Sequence, residues 1–509
     1  MYRRRVFRPF AACALAISLV SFAADARAEQ APSPPPDSPP PAGASAAQRV
    51  QVRYVDDPGP PRNAWVTPEG DQRAGRFVFG SYGRVMTAVD GHGRRGRDAD
   101  LVAHGSRLDE DSYAELELRR EDEYRLPSEP HALTTRMVAT LAIGEPLFHQ
   151  SGKFDAKLAV RNLYLEAKGV MVPQLAVWVG SRMYRGDDAY LLNWWPLDNL
   201  NTVGGGLRLD LERSRTQIAL HVGANRLDDP YQLQTAKRSL PANQVGTTDV
   251  LILDRPRTVE SLRVEQILGM GSRAGLKLVG YAELHQLPSG QRESQPGRYD
   301  DLPSDNGFVA GTQLTGFTGE RDTHLSVFFR YARGLPAYGG DLSIPYALRL
   351  DKTTKGASDA VMAISGNWET GPVAVQVAGY VRSFRAATKE EFNYAHLDEG
   401  IFVVRPHFYF GERGGVFVEA SYQAQQRATL AADGKGPLSG SMTRFGVVPF
   451  LSPAGRGSYR RPQLRAIFLV SKRSDGAREF YATDDVYARR NVEQFFGIEA
   501  EWWFNSSYR

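Results

Sequence analysis

Ser112-Tyr-Ala-Glu-Leu-Glu-Leu-Arg119 separates into two faces when every second residue is taken. One parity reads Tyr113, Glu115, Glu117, Arg119, and the other reads Ala114, Leu116, Leu118. A period of two marks a strand in a sheet with one polar and one apolar face. The pattern recurs along the chain. In the stretch 373–381 one parity is Val, Val, Val, Gly, Val, while the other is Ala374, Gln376, Ala378 and Tyr380, with Arg382 following. Further on, Phe496, Ile498, Ala500, Trp502 and Phe504 alternate with Gly497, Glu499, Glu501 and Trp503.

Working outward gives eighteen candidate strands, near 77–87, 111–121, 133–143, 153–165, 174–182, 203–211, 214–224, 259–268, 273–284, 306–316, 323–333, 358–368, 372–383, 400–410, 414–424, 442–450, 463–472 and 492–504. A soluble sandwich also alternates, so the links decide. Several links after even-numbered strands are tight: Glu212-Arg213, Gly269 to Ser272, Glu369 to Gly371 and Gly411 to Arg413. Links after odd-numbered strands are mostly long: about 88–110, 183–202, 225–258, 285–305, 334–357, 384–399, 425–441 and 473–491. Short turns at one end and long loops at the other mark a transmembrane barrel. In lipid an open sheet edge leaves unpaired N–H and C=O groups, each costing several kcal/mol, so the sheet must close. An even count closes an antiparallel ring, and roughly sixteen to eighteen strands leave an aqueous lumen. The fold expected is all-β, an 18-stranded antiparallel transmembrane β-barrel over residues 77–509, set in outer-membrane lipid of a Gram-negative cell with both ends on the periplasmic side.

Residues 1–28 read as a secretory signal: Arg3, Arg4 and Arg5 lead an apolar run from Ala11 to Ala23, and Ala26-Arg27-Ala28 is a small-x-small cleavage site. Residues 29–76 read as a Pro-rich periplasmic arm, with Pro34-Pro35-Pro36 and Pro39-Pro40-Pro41 favouring polyproline II. Cys13, inside the signal, is the sole cysteine, which excludes disulfides, thiolate metal sites and cysteine nucleophiles from the mature chain. No apolar run reaches the length of a transmembrane helix. Charge is nearly balanced, 62 basic against 58 acidic residues, and gives no sign of nucleic-acid binding.

The polar parity faces water. Tyr82, Tyr113 and Trp503 share parity with Arg84, Glu115 and Glu501, so apolar burial does not explain them. Together with Trp195 they are candidate platforms for the apolar face of a pyranose, and Arg84, Arg161, Glu115 and Asp188 are candidate partners for its hydroxyls. Conduction needs binding that is favourable but weak and spread over several sites. Phe496, Trp502 and Phe504 suit an interfacial girdle instead. The third loop, 183–202, holds Trp194, Trp195 and three leucines in its 184–198 stretch, an odd apolar patch unless it folds inward against the wall or packs in a trimer.

Other classes fit less well. An outer-membrane lipase needs a Ser/His/acid set, and none of the nine histidines accompanies a G-x-S-x-G. A TonB-dependent transporter needs a plug domain ahead of the barrel, and the residues between the signal and Phe77 are too few. Asp187, Asp188, Asp228 and Asp229 raise loop calcium, but solvated loop charge is the preferred reading. No enzyme activity, metal or cofactor is expected.

These residues resemble the maltoporin family of carbohydrate porins. Phe79-Gly-Ser-Tyr-Gly-Arg84 resembles its opening strand, Ser112 to Leu118 its second with Arg107 just before, and Arg161-Asn-Leu-Tyr-Leu-Glu-Ala-Lys168 its fourth. Trp178-Val-Gly-Ser-Arg182, Tyr184, Asp188, Tyr190 and Asp198 resemble its fifth strand and constricting third loop. Val404-Arg405-Pro406, Arg461-Pro462 and Phe496 to Trp503 match later strands. The resemblance implies a homotrimeric, sugar-selective passive channel for maltose and maltodextrins. It implies an aromatic slide at Tyr82, Tyr113, Trp195 and Trp503, with Trp195 in place of the loop tyrosine. It implies a polar track at Arg84, Arg107, Glu115, Arg161, Asp188 and Arg185, the last beside Gly186, where the family has arginine. The constriction loop would hold Tyr184, Tyr190 and Asn193, the last replacing an aspartate. Departures are a short second loop without tryptophan, in which Phe148 is a substitute, five residues after Phe504, and Phe308 and Phe402 lying off register for the central slide. Because of them a general or anion-preferring porin, or a channel for another oligosaccharide, stays open.

Overall fold

A computed structural model of the chain describes residues 64–66, 72–125, 130–144, 157–270, 273–319, 323–339, 343–388 and 396–506. The signal and most of the Pro-rich arm lie outside the described residues, as do the second loop and Phe148.

Eighteen long strands run in chain order as β1 (Gln72–Asp90), β2 (Tyr113–Arg125), β3 (Leu133–Gly144), β4 (Lys157–Lys168), β5 (Leu175–Arg185), β6 (Asn199–Leu211), β7 (Thr216–Asn225), β8 (Arg257–Met270) and β9 (Ala274–Leu287). The second half comprises β10 (Asp305–Thr318), β11 (Thr323–Gly334), β12 (Ser358–Thr370), β13 (Val373–Arg385), β14 (His396–Phe410), β15 (Gly414–Leu430), β16 (Pro437–Leu451), β17 (Gln463–Arg473) and β18 (Val492–Phe504). Each pairs antiparallel with its sequence neighbours. The ring closes where β1 meets β18, from Ser81 opposite Phe504 to Asp90 opposite Phe495. A short extra strand, Ala64–Val66, pairs with the start of β1.

Closure leaves no free edge, which is the condition for a sheet in lipid. The alternation then acts inside out. Phe77, Phe79, Leu116, Leu118, Leu163 and Ile498 are exposed on the outer face, where acyl chains take the place of a core. Glu115, Glu117, Arg119, Glu499 and Glu501, of the opposite parity, are buried inside. Their charges are paired across strands. Glu166 of β4 meets Arg182 of β5 at 3.0 Å and Arg208 of β6 at 3.5 Å. Arg465 of β17 meets Glu499 and Glu501 of β18 at 2.8 and 2.5 Å. Removing one member of such a buried pair leaves an uncompensated charge and costs about 3–5 kcal/mol.

The tight links sit at one rim. β12 turns into β13 through Gly371, whose φ of +52° suits a residue without Cβ. Long links sit at the other rim. The link from β7 to β8 carries a hairpin, Leu233–Ser239 with Thr247–Asp254, and the β9–β10 link carries another, Gly290–Gln295 with Arg298–Leu302. The two are tied where Gln234 accepts from Glu293 N at 2.8 Å and donates to its carbonyl at 2.9 Å.

Several strand boundaries shift by a few residues from the sequence reading, and two regions change most. β1 begins at Gln72 rather than 77, and its first five residues pair with Glu121–Arg125 of β2. Arg76 there is bridged to Glu121 at 2.5 Å, so this end is held by charge and carries no apolar alternation. Likewise β15 runs on to Leu430 and β16 starts at Pro437, which leaves a link of six residues, 431–436, instead of a long loop.

Candidate functional site

Two long links lie against the inner wall. The first is the β5–β6 link, residues 186–198, which includes a 3-10 turn at Tyr190–Leu192. Its Tyr190, Leu191, Leu192 and Leu197 are each at most 2% exposed. They share one apolar cluster with Val279 and Tyr281 of β9, Phe328 of β11, Ala378 and Tyr380 of β13, and Ile401 and Val403 of β14. Those wall residues hold the inward parity of their strands, so the patch that looked odd in a loop is packed. Charged pins hold both ends of the link. Lys277 meets Asp187 at 2.7 Å, and Arg263 meets Asp198 at 2.6 Å. Burial opposes ionisation of Asp187, but Lys277 and Arg263 beside it hold its carboxyl below the ordinary range. Asp187 is therefore not the solvated loop charge expected from sequence. Nor is Asp229, which is buried and accepts from Tyr231 N at 2.7 Å.

The second inward link, residues 91–112 between β1 and β2, was not foreseen. It reaches across to β13–β17. Leu101 N donates to Gln423 at 2.8 Å, Ala103 N to Glu399 at 3.1 Å and His104 N to the Tyr380 hydroxyl at 3.2 Å. Ser106 donates to Glu419. Arg107 meets Glu501 at 2.7 Å and donates to the Tyr82 hydroxyl at 2.6 Å. Leu108 packs among Phe417, Val448, Ile467 and Leu469. The only sequence signals for this are Leu101-Val102 and Leu108 in a link otherwise rich in Gly, Arg and Asp.

A cavity of about 520 Å³ remains between these links and the wall. Tyr82, Tyr113 and Trp195 line it, with Arg84, Glu115, Arg161, Arg185 and Asn193. The Tyr82 and Tyr113 rings are 6.1 Å apart. Arg161 donates to the Tyr113 hydroxyl at 2.9 Å, and Tyr113 donates to Glu115. Arg185 stacks 4.0 Å from the Trp195 ring centre, a cation–π contact that fixes both side chains. Arg84 is held by Glu110 at 2.7 Å. Asn193 sits at the end of the 3-10 turn with φ of +47°, a left-handed conformation that asparagine tolerates.

The remaining named positions are not on this wall. Trp503 meets Tyr190 edge-on at 6.0 Å, and the Arg461 guanidinium covers its ring at 4.3 Å. Arg107 is buried behind Tyr82. Tyr190 donates to Glu501 at 3.0 Å, inside the packed link. Tyr184 belongs to a three-ring group, 6.0 Å from Trp178 and 5.5 Å from His221, which are themselves 5.6 Å apart. Asp188 is half-buried and off the cavity. Phe308 and Phe402 are exposed on the outer face, so neither contributes to the lumen.

The cavity also takes residues that sequence reasoning missed. His104 stacks on Trp194 at 4.4 Å, and Trp194 lies 5.0 Å from Tyr380. Glu283, Arg330, Asp359 and Arg382 form a further part of the wall, and Tyr338 enters from the 3-10 turn Leu335–Tyr338. Parity marks Arg330, Asp359 and Arg382 as inward but does not rank them above the many other inward polar residues. Among the described residues, two groups could approach metal-ligand spacing, Asp90 with His92 and Glu493, and Asp98 with Asp100 and Asp109. A guanidinium already stands in each, Arg490 in the first and Arg444 in the second.

A closed antiparallel barrel of this size, apolar outside and charged within, is a passive channel of the Gram-negative outer membrane. Residues 77–504 match the family described as LamB porin, and the chain belongs to that family, whose members are channels and not enzymes. Among solved structures it is similar to OmpT of Vibrio cholerae, at 12% identity over 85% of this chain and 100% of that one, with a TM-score of 0.36. It is also similar to OccAB1 of Acinetobacter baumannii, at 10% identity over 84% and 96% with a TM-score of 0.42. OccK3 of Pseudomonas aeruginosa is 11% identical over 84% and 95%, with a TM-score of 0.39. No curated protein sequence matches.

Proposed function

We propose that this barrel is a sugar-selective diffusion channel of maltoporin type, passing maltose and maltodextrins from the cell exterior to the periplasm. The observation that carries this is the wall formed by Tyr82, Tyr113 and Trp195 beside Arg84, Glu115, Arg161 and Arg185. A pyranose offers a C–H face to an aromatic ring and a rim of hydroxyls to charged groups. Aromatic contacts contribute about 1 kcal/mol each, and charge-assisted hydrogen bonds to hydroxyls add a similar amount. Contacts of that size, repeated along the lumen, bind without trapping. The packed 186–198 link narrows the passage in this account, and the flux needs no cofactor because it runs downhill. The reading includes a homotrimer, supported by family membership, and a mature chain that loses residues 1–28 and carries 29–76 as a periplasmic arm.

Liposome swelling tests it. Proteoliposomes should swell faster in maltotriose than in a non-glucose trisaccharide of equal mass, and Tyr82→Ala with Tyr113→Ala should remove the difference. Swelling rates that follow mass alone would leave a general porin as the better reading.

A further inference from the structure

We infer, on the basis of the sugar-channel reading above, that the cavity discriminates in favour of acidic sugar chains, those whose rings carry carboxylates. Its wall presents Arg84, Arg161, Arg185, Arg330 and Arg382 against Glu115, Glu283 and Asp359. The three carboxylates are already engaged. Glu115 accepts from Tyr113 and lies 3.6 Å from Arg161. Glu283 accepts from the Tyr281 hydroxyl at 2.5 Å and meets His285 at 2.6 Å. Asp359 takes Arg382 on one oxygen at 2.7 Å and Arg330 on the other at 3.3 Å.

The cationic side is less complete. Arg330 is 5% exposed, and its Nη2 is buried without a hydrogen-bond partner. Its ion pair with Asp359 at 3.3 Å is shared with Arg382, so two guanidiniums of this wall draw on one carboxylate. Two further carboxylates, Glu110 and Glu399, answer Arg84 and Arg382 at 2.7 and 3.4 Å without themselves lining the cavity. They hold the guanidiniums in place and leave the face presented to a ligand basic. The 193–197 stretch of the inward link adds Asn193, Trp194, Trp195, Pro196 and Leu197 to that face, and no carboxylate. A carboxylate fits a guanidinium fork in plane while its ring rests on an aromatic side chain. Low-dielectric walls strengthen the attraction.

The test compares trigalacturonate with maltotriose as blockers of the full-length channel in planar bilayers. Trigalacturonate should block at about tenfold lower concentration at low salt, with the gap shrinking as salt screens the guanidiniums. Arg330→Gln should lose most of that preference, about tenfold, while maltotriose block changes by much less. Because the variant can fail to insert, the wild-type salt series and the zero-current potential in a KCl gradient, expected to favour anions, stand as separate readouts. Equal or weaker block by trigalacturonate, with maltotriose block intact, overturns this inference alone. Block by citrate equal to that by trigalacturonate overturns its sugar half. Block by neither sugar overturns the sugar-channel reading itself.

Discussion

Arg107, in the link between the first two strands, lies 2.7 Å from Glu501 of the last strand, and both side chains are sealed from solvent. Glu501 also takes Arg461 at 2.6 Å and Arg465 at 2.5 Å, so one carboxylate is shared by three guanidiniums. Glu501→Ala should therefore cost about 3–5 kcal/mol of local stability, because it leaves buried cations without their counter-charge. Limited proteolysis of the folded barrel should then cut between residues 91 and 112, where the wild-type link resists. Arg107→Ala should show a smaller effect, since Arg461 and Arg465 still satisfy Glu501.

Tyr113 and Trp503 separate two roles that sequence alone assigned to both. Tyr113 faces the cavity, whereas the Trp503 ring is covered by Arg461. Tyr113→Ala should weaken maltohexaose block by about tenfold, the loss of one platform and its hydroxyl. Trp503→Ala should change block less and lower thermal stability more, by about 3 kcal/mol for a truncated packed aromatic. Titrating block and melting the two variants in detergent would check both directions.

Asp109 supplies a pH dependence. Burial raises its carboxyl to about 7, against the opposing pull of Arg444 and with Asp98 adding to the rise. Arg444 lies 2.8 Å from Asp109 and 3.0 Å from Asp100, so a single cation faces two buried carboxylates. The folded pKa is above the unfolded one, so the docked link binds the extra proton between about pH 4 and 7. Its stability is highest below that window and is lost as pH rises through about 7. Open-channel current noise should therefore grow from pH 5 to pH 8, and Asp109→Asn should flatten the trend. Noise that grows on acidification would contradict this sign.

Phe402 tests the direction of the barrel wall. It is exposed on the outer face, while its neighbour Val403 is buried against the inward link. Phe402→Arg should destabilise the barrel in lipid vesicles by about 2–4 kcal/mol, as a charge facing acyl chains does. Phe402→Ala should leave sugar block unchanged.

How much of this was legible in the sequence follows from where periodicity survives. Each of the eighteen strands carries a run such as Ala114, Leu116, Leu118 against Glu115, Glu117, Arg119, because lipid and water impose opposite demands on alternate residues. That constraint ends at the rims. Gln72–Arg76 pairs as strand, and its sequence carries no apolar alternation to mark it. It is weaker still in the link 91–112, whose path depends on Asp109 finding Arg444 more than 300 residues away. Trp195 was named through the family resemblance, in place of the loop tyrosine, and it lines the cavity. Trp194 and His104 were not legible there, because their pairing joins two separate links.

Single-channel current through the wild-type protein, recorded as maltohexaose is titrated in, tests the central claim most directly. A sugar-binding lumen predicts a saturable reduction of conductance with resolvable blocking events. A conductance that no concentration of maltohexaose alters would contradict it.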